Sequence, residues 1–133
     1  MSKNQLGDGC IQSFGDLMQN NYHVEYVNIG YNKITDKGIE ILSSYLIGNT
    51  TLKSIDISFN EGITDLSLPF LKEIAMKSYL ENINITNTSI SELGQEEINK
   101  LLLFDQFYDL LANYYRMFES LFHYFQNQSL FIN

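Results

Sequence analysis

The sequence is short of the residues that build most recognisable sites. It has no Trp, one Cys, one Pro and two His in 133 residues. A lone Cys10 excludes an internal disulfide and cannot anchor a Cys-based metal cluster. His23 and His123 lie far apart, with no ligand spacing around either, so no metal is expected. Cations are scarce: 8 Lys and Arg stand against 16 Asp and Glu, a net charge of −8. That balance argues against nucleic acid, whose phosphates demand basic side chains, and against an anionic membrane surface. No run of about 20 apolar residues exists to span a bilayer. Met1-Ser2-Lys3-Asn4-Gln5 carries no apolar h-region, so no secretory signal is read and a soluble, intracellular, cytoplasmic chain is the expectation. The N-x-S/T triplets at Asn49, Asn84, Asn87 and Asn127 are then read as chance. Motifs for nucleophilic, phosphate-binding or zinc chemistry are missing, so neither catalytic residues nor a cofactor are expected. Glu96-Glu97 reads as a solvated helix face.

What is present is apolar and periodic. Hydrophobic residues make up 44% of the chain, including nine Tyr and nine Phe, which fits a folded domain. Three segments share one frame: Val24-Glu25-Tyr26-Val27-Asn28-Ile29-Gly30-Tyr31-Asn32, Leu52 to Asn60, and Leu80 to Thr88. Each begins 28 residues after the last and fits L-x-x-L-x-L-x-x-N, with Thr88 the one departure at the final position. The intervening stretches repeat as well. Ile34-Thr35-Asp36-Lys37-Gly38-Ile39 is matched by Leu6-Gly7-Asp8-Gly9-Cys10-Ile11 and by Ile90-Ser91-Glu92-Leu93-Gly94. A middle copy, Ile63-Thr64-Asp65, carries one extra residue near Glu61-Gly62.

Alternation through Val27-x-Ile29, Ile55-x-Ile57 and Ile83-x-Ile85 predicts strands, and Ile39, Leu42, Tyr45 and Leu46 recur at helical spacing. N-caps are expected at Asp36, at Asp65 or Ser67, and at Ser91, with Pro69 in a first helical turn. Each unit is therefore a strand and a helix, which buries its apolar face only by stacking on neighbours.

This unit resembles the ribonuclease-inhibitor-like class of leucine-rich repeats, whose members include ribonuclease inhibitor, the sensor regions of NOD-like receptors, tropomodulin-type actin regulators and Ran GTPase-activating proteins. The match covers residues 4 to about 102. It implies an α/β fold: a right-handed solenoid with a short parallel sheet on the concave side and helices on the convex side. It also implies a structural ladder of buried side chains at Asn4, Asn32 and Asn60, weakened where Thr88 offers only a hydroxyl. The array is read as residues 1–104, with a partial first repeat at 1–23 and repeats starting at 24, 52 and 80. Because the frame opens at Asn4 with no strand before it, either a partner covers that face or the sequence is part of a longer array.

Residues 105–133 form a second segment. Phe107, Leu110, Leu111, Tyr114, Phe118, Leu121, Phe122 and Phe125 predict one amphipathic C-terminal helix over about 105–126. Asp105, Asp109, Asn113, Arg116 and Glu119 mark its polar side, and Gln126 to Ser129 are expected to fray. It is either a cap over the last repeat or a docking element, with assembly contacts through Phe107, Leu111, Tyr114, Phe118 and Phe122.

Residues between the buried strand positions should face away from the helices. They are Tyr26, Asn28 and Gly30, then Ser54, Asp56 and Ser58, then Asn82, Asn84 and Thr86, with Tyr31 extending the patch and Phe59 packing inward. The leading expectation is a protein-protein interaction module that holds a partner on this face, with Tyr26 and Asp56 central. The alternative is a structural subunit that buries its open first repeat and aromatic tail in a larger assembly. A third reading, by fold analogy alone, is a regulator of a GTPase.

Overall fold

The computed structural model describes residues 5–78 and 80–129, with the side chains at 105, 106, 109 and 125–129 excepted. Asn4 lies outside the described residues. In chain order the elements are α1 (Asp8–Gln19), β1 (Tyr26–Asn28), α2 (Asp36–Leu46), β2 (Ser54–Asp56), a 3-10 turn (Asp65–Ser67), α3 (Leu68–Lys77), β3 (Asn82–Asn84) and α4 (Glu92–Ser129).

The strands are parallel, in the order β1-β2-β3. Their register carries the 28-residue period directly. Tyr26 stands beside Ser54 and Ser54 beside Asn82; Val27, Ile55 and Ile83 are aligned, as are Asn28, Asp56 and Asn84. A parallel pair needs a crossover long enough to return the chain to the same edge, and a helix supplies it in each repeat. Single parallel bridges, Gly7 to Lys33, Thr35 to Gly62 and Thr64 to Ser89, tie neighbouring repeats again where the helices begin. The core lies between sheet and helices and includes Ile29, Ile57 and Ile85 from the strand ends, and Ile39, Leu42, Leu46, Leu71 and Ile74 from the helices.

Two helix starts differ from expectation by one residue. Thr35 and Thr64 are the N-caps, their hydroxyls accepting from Lys37 N and Leu66 N. Asp36 and Asp65 are the first residues inside, which frees their carboxylates to reach the next repeat. Ser91 precedes α4 and its Oγ accepts from Gly94 N at 3.2 Å. Ser67 precedes α3 but makes no side-chain cap bond. Pro69 explains the 3-10 turn there. It has no N–H to donate to Asp65 O, and Leu68 N takes that oxygen one residue early.

The chain divides into two compact units, one ending at Leu102 and one starting at Leu103. In the first, α4 buries Ile98 and Leu102. The tail helix expected at about 105–126 has no separate start, because α4 begins at Glu92. In the second unit, taken by itself, Phe107, Leu111, Tyr114, Phe118 and Phe122 are exposed. Among the described residues, no helix is long and apolar enough to cross a membrane.

Candidate protein-binding face

Two rows of side chains cross the three strands on the face away from the core. Tyr26 is 70% exposed, beside half-buried Ser54 and exposed Asn82. Asn82 Nδ2 donates to Ser54 Oγ at 3.3 Å. In the second row, exposed Asn28 donates through Nδ2 to Asp56 Oδ2 at 3.2 Å. Asp56 and Asn84 are half-buried. Each side chain of this row also folds back on its own backbone two residues on: Asn28 Oδ1 accepts from Gly30 N, Asp56 Oδ1 from Ser58 N, and Asn84 Oδ1 from Thr86 N. These turns end the strands after three residues.

That early ending corrects the expected face at two positions. Gly30 and Ser58 are buried. Ser58 Oγ donates to Asp56 Oδ1 at 2.6 Å, and a Cβ on Gly30 would come within 2.9 Å of Ser58 O. Ser58 buttresses Asp56 and offers nothing to a partner. Thr86 holds the corresponding place in β3's repeat and is exposed.

Phe59 is the second correction. It does not pack inward; it lies flat against Tyr31, with ring centroids 3.9 Å apart and 11° between planes. Tyr31, Phe59 and Asn87 each hold a left-handed backbone, φ 54–55°. A left-handed residue at this point turns the chain sharply and throws its side chain outward rather than into the core. Stacked rings of two repeats therefore border the polar rows at the strand exits. One residue before the strands lies a charged row in the same 28-residue spacing. Lys53 Nζ pairs with Glu25 at 3.1 Å. That hydrogen bond, then the Glu25 charge, with Glu81 adding less, raises the Lys53 pKa.

Behind this face lie three ladders. In the first, Asn60 is fully buried: Nδ2 donates to Ile57 O at 2.9 Å and Ile29 O at 3.1 Å, while Oδ1 accepts from Ile34 N at 3.0 Å. Asn32 repeats the pattern with Ile29 O, Gly30 O and Leu6 N. Thr88 reaches only within its own repeat, to Ile85 O and Ile90 N.

The second ladder was not anticipated. Asp8 accepts from Thr35 N and Oγ1 at 2.8 and 2.5 Å; Asp36 accepts from Thr64 N and Oγ1 at 2.8 Å each and from Ser67 Oγ at 2.5 Å; Asp65 accepts from Ser91 N at 2.8 Å. Burial pushes the Asp36 carboxyl up, but the bonds from Ser67 and Thr64 together hold it below the ordinary carboxylate value. The third ladder joins helix exits, Asn49 Nδ2 donating to Met18 O at 3.2 Å and Thr51 Oγ1 to Asn21 O at 3.3 Å. Asn21 Oδ1 accepts from His23 N and Val24 N, and Asn49 Oδ1 from Thr51 N and Leu52 N. Their 28-residue spacing was a signal available in the sequence.

Among the described residues, no group of three or more His, Cys, Asp or Glu is placed to hold a metal ion. The face presents hydrogen-bonding groups flanked by flat apolar rings.

A leucine-rich-repeat family model matches residues 20–43 and 48–68. By sequence the chain is 25% identical over 110 residues to the Rho GTPase-activating protein gacW of Dictyostelium discoideum. That match covers 77% of this chain and 10% of that protein, so the chain spans about a tenth of the curated relative's length. By structure it is similar to the Leiomodin-1 Actin-Binding Site 2, with a TM-score of 0.65 at 16% identity, over 88% of this chain and 69% of that one. At that identity the likeness speaks for the fold alone. The family match over residues 20–43 and 48–68, with the 28-residue strand register, supports leucine-rich repeats there, and the structural likeness supports a fold of that type.

Proposed function

We propose that this chain is a protein-binding module of the ribonuclease-inhibitor-like class. In this reading it is a right-handed solenoid whose strands line a concave face that holds the partner. Tyr26, Asn28, Ser54, Asp56, Asn82, Asn84 and Thr86 form the polar contact surface. The observation that carries the proposal is the Tyr31–Phe59 stack at its border. Aromatic rings held rigid by neighbours contribute contact area with little entropy cost, as interface anchors do. In this reading the chain acts by binding and not by catalysis.

Actin is the first partner to test, because the structural neighbour is an actin-binding site. A Rho-family GTPase is the second, because the sequence relative is a Rho GTPase-activating protein. Each purified protein is titrated with the wild-type chain and with Tyr26→Ala/Asp56→Ala and Tyr31→Ala/Phe59→Ala. Binding to one of them, weakened about 10-fold or more by the substitutions, is expected from the loss of anchor residues. Wild-type binding that both double variants retain would remove the strand face from the reading. Binding to neither protein would remove both partners. A GTP hydrolysis rate unchanged by the chain would dismiss the regulator alternative.

A second reading, a subunit locked into an assembly, draws on the open apolar groove at the first repeat, lined by Leu6, Cys10, Phe14 and Leu17 among others. It also draws on the exposed aromatics of the tail.

A further inference from the structure

The second unit begins where a heptad begins. Phe104, Phe107, Leu111, Tyr114, Phe118 and Leu121 are spaced three and four residues apart in strict alternation. That is the a/d pattern of helices that wind around one another. α4 is helical throughout this stretch. Every large apolar side chain described from Leu103 to Tyr124 is exposed, by 39 to 69%.

The flanking e and g places hold Leu103, Tyr108, Leu110, Tyr115, Met117, Phe122 and Tyr124. A two-stranded coiled coil buries a and d and carries charge at e and g. Here e and g are apolar and aromatic too, so four of seven places face away from water when satisfied. Polar residues keep to the remaining face: Asn113, Arg116, Glu119, Ser120 and His123. An apolar arc this wide needs neighbours on both flanks, as in a bundle of several helices.

Its extent is large. Side chains of this kind bury about 150–250 Å² each, so about half-exposed they leave on the order of 1,000 Å² of apolar surface. Monomers rarely expose a contiguous apolar patch above a few hundred Å². A standard interface takes about 800 Å² from each partner. The seam carries no charge that would select a foreign helix, and apolar knobs of one copy fill apolar holes of another without burying a charge. Residues 101–133 contain no Lys, and Arg116 alone is basic apart from His123, which disfavours an anionic bilayer as the occupant.

We infer that the segment from Phe104 to Leu121 assembles with copies of itself into a bundle of three or more helices, making this protein an oligomer. The test is the light-scattering mass of the full chain over a dilution series, with the thermal melt followed in parallel. Support is a mass of at least three times 15.4 kDa that falls to a single chain in Leu111→Asp/Phe118→Asp and persists in Asn113→Ala/Arg116→Ala on the polar face. Tyr115→Ser/Met117→Ser, at the e and g places, is expected to reduce the mass to two chains. A wild-type chain that stays single overturns the inference, including one that instead floats with phosphatidylserine vesicles. A wild-type dimer overturns the assignment of the e and g residues to a third helix.

Discussion

The Asp8 carboxylate occupies the space that a side chain on Gly38 would need: a Cβ there would lie 2.3 Å from Asp8 Oδ1. The same holds two ladder steps on, where a Cβ on Gly94 would lie 2.9 Å from Asp65 Oδ1. Between them, at the equivalent place, Ser67 fills the gap by donating its hydroxyl to Asp36. The Gly of the D-x-G motif is thus set by the previous repeat, not by a turn of its own.

From that relationship Gly38→Ala should destabilise the protein, although Gly to Ala inside a helix ordinarily stabilises it by about 1 kcal/mol. The crowding of Asp8 and Ile34 is expected to cost roughly 1–3 kcal/mol. Urea unfolding of Gly38→Ala, Asp8→Ala and the double variant checks it. The double variant should lose clearly less than the sum of the two, and strict additivity would break the argument.

Asn60→Ala should be among the most damaging single changes. It leaves Ile34 N and Ile57 O short of the partner Asn60 supplies, while Ile29 O keeps Asn32, costing about 3 kcal/mol, whereas Thr88→Ala loses about 1 kcal/mol. Chemical denaturation midpoints at constant m-value rank the two; equal losses would contradict a ladder centred on Asn60.

Stability should fall in acid through Asp36. Its folded pKa lies below the ordinary value, so its contribution is complete above the unfolded pKa near 4 and disappears as pH drops through the lower folded value. Asp36→Asn should therefore flatten the stability curve below about pH 4. Isothermal urea titrations from neutral to acid pH, wild type against variant, measure this. Parallel curves would assign the acid loss to other groups.

The left-handed backbone at Tyr31 makes a distinct demand. Tyr31→Gly should be more stable than Tyr31→Ala by about 0.5–1 kcal/mol, since only glycine adopts this φ without steric cost. Coupling between Tyr31 and Phe59 in a double-mutant cycle should be about 0.5–1.5 kcal/mol, the range for stacked rings. Thermal melts of the five proteins, wild type, Tyr31→Gly, Tyr31→Ala, Phe59→Ala and Tyr31→Ala/Phe59→Ala, give both values.

The repeat was legible because a leucine-rich unit writes its geometry as spacing. Tyr26, Ser54 and Asn82 are 28 residues apart in the chain and side by side in the sheet. The candidate face was legible only where the strands are truly strands. At Gly30 and Ser58 alternation alone predicts exposure, but both are buried, whereas Thr86 at the equivalent place of the last strand is exposed. At Phe59 hydrophobicity says that a ring prefers cover, not that a ring from the preceding repeat, Tyr31, supplies it. Asn21 and Asn49 carry the same 28-residue period in the sequence, outside the strand motif.

By itself, then, the sequence determined the period, the alternation of strand and helix, and the residue types that face the core. These follow from local chemistry: apolar spacing, helix caps, a proline in a first turn. Tertiary structure alone decided which carboxylate reaches which threonine, why Gly38 cannot carry a side chain, and that Tyr31 and Phe59 stack. Those contacts join residues 26 to 31 places apart. They exist only after neighbouring repeats have packed and brought groups with no local reason to meet within hydrogen-bonding or van der Waals distance.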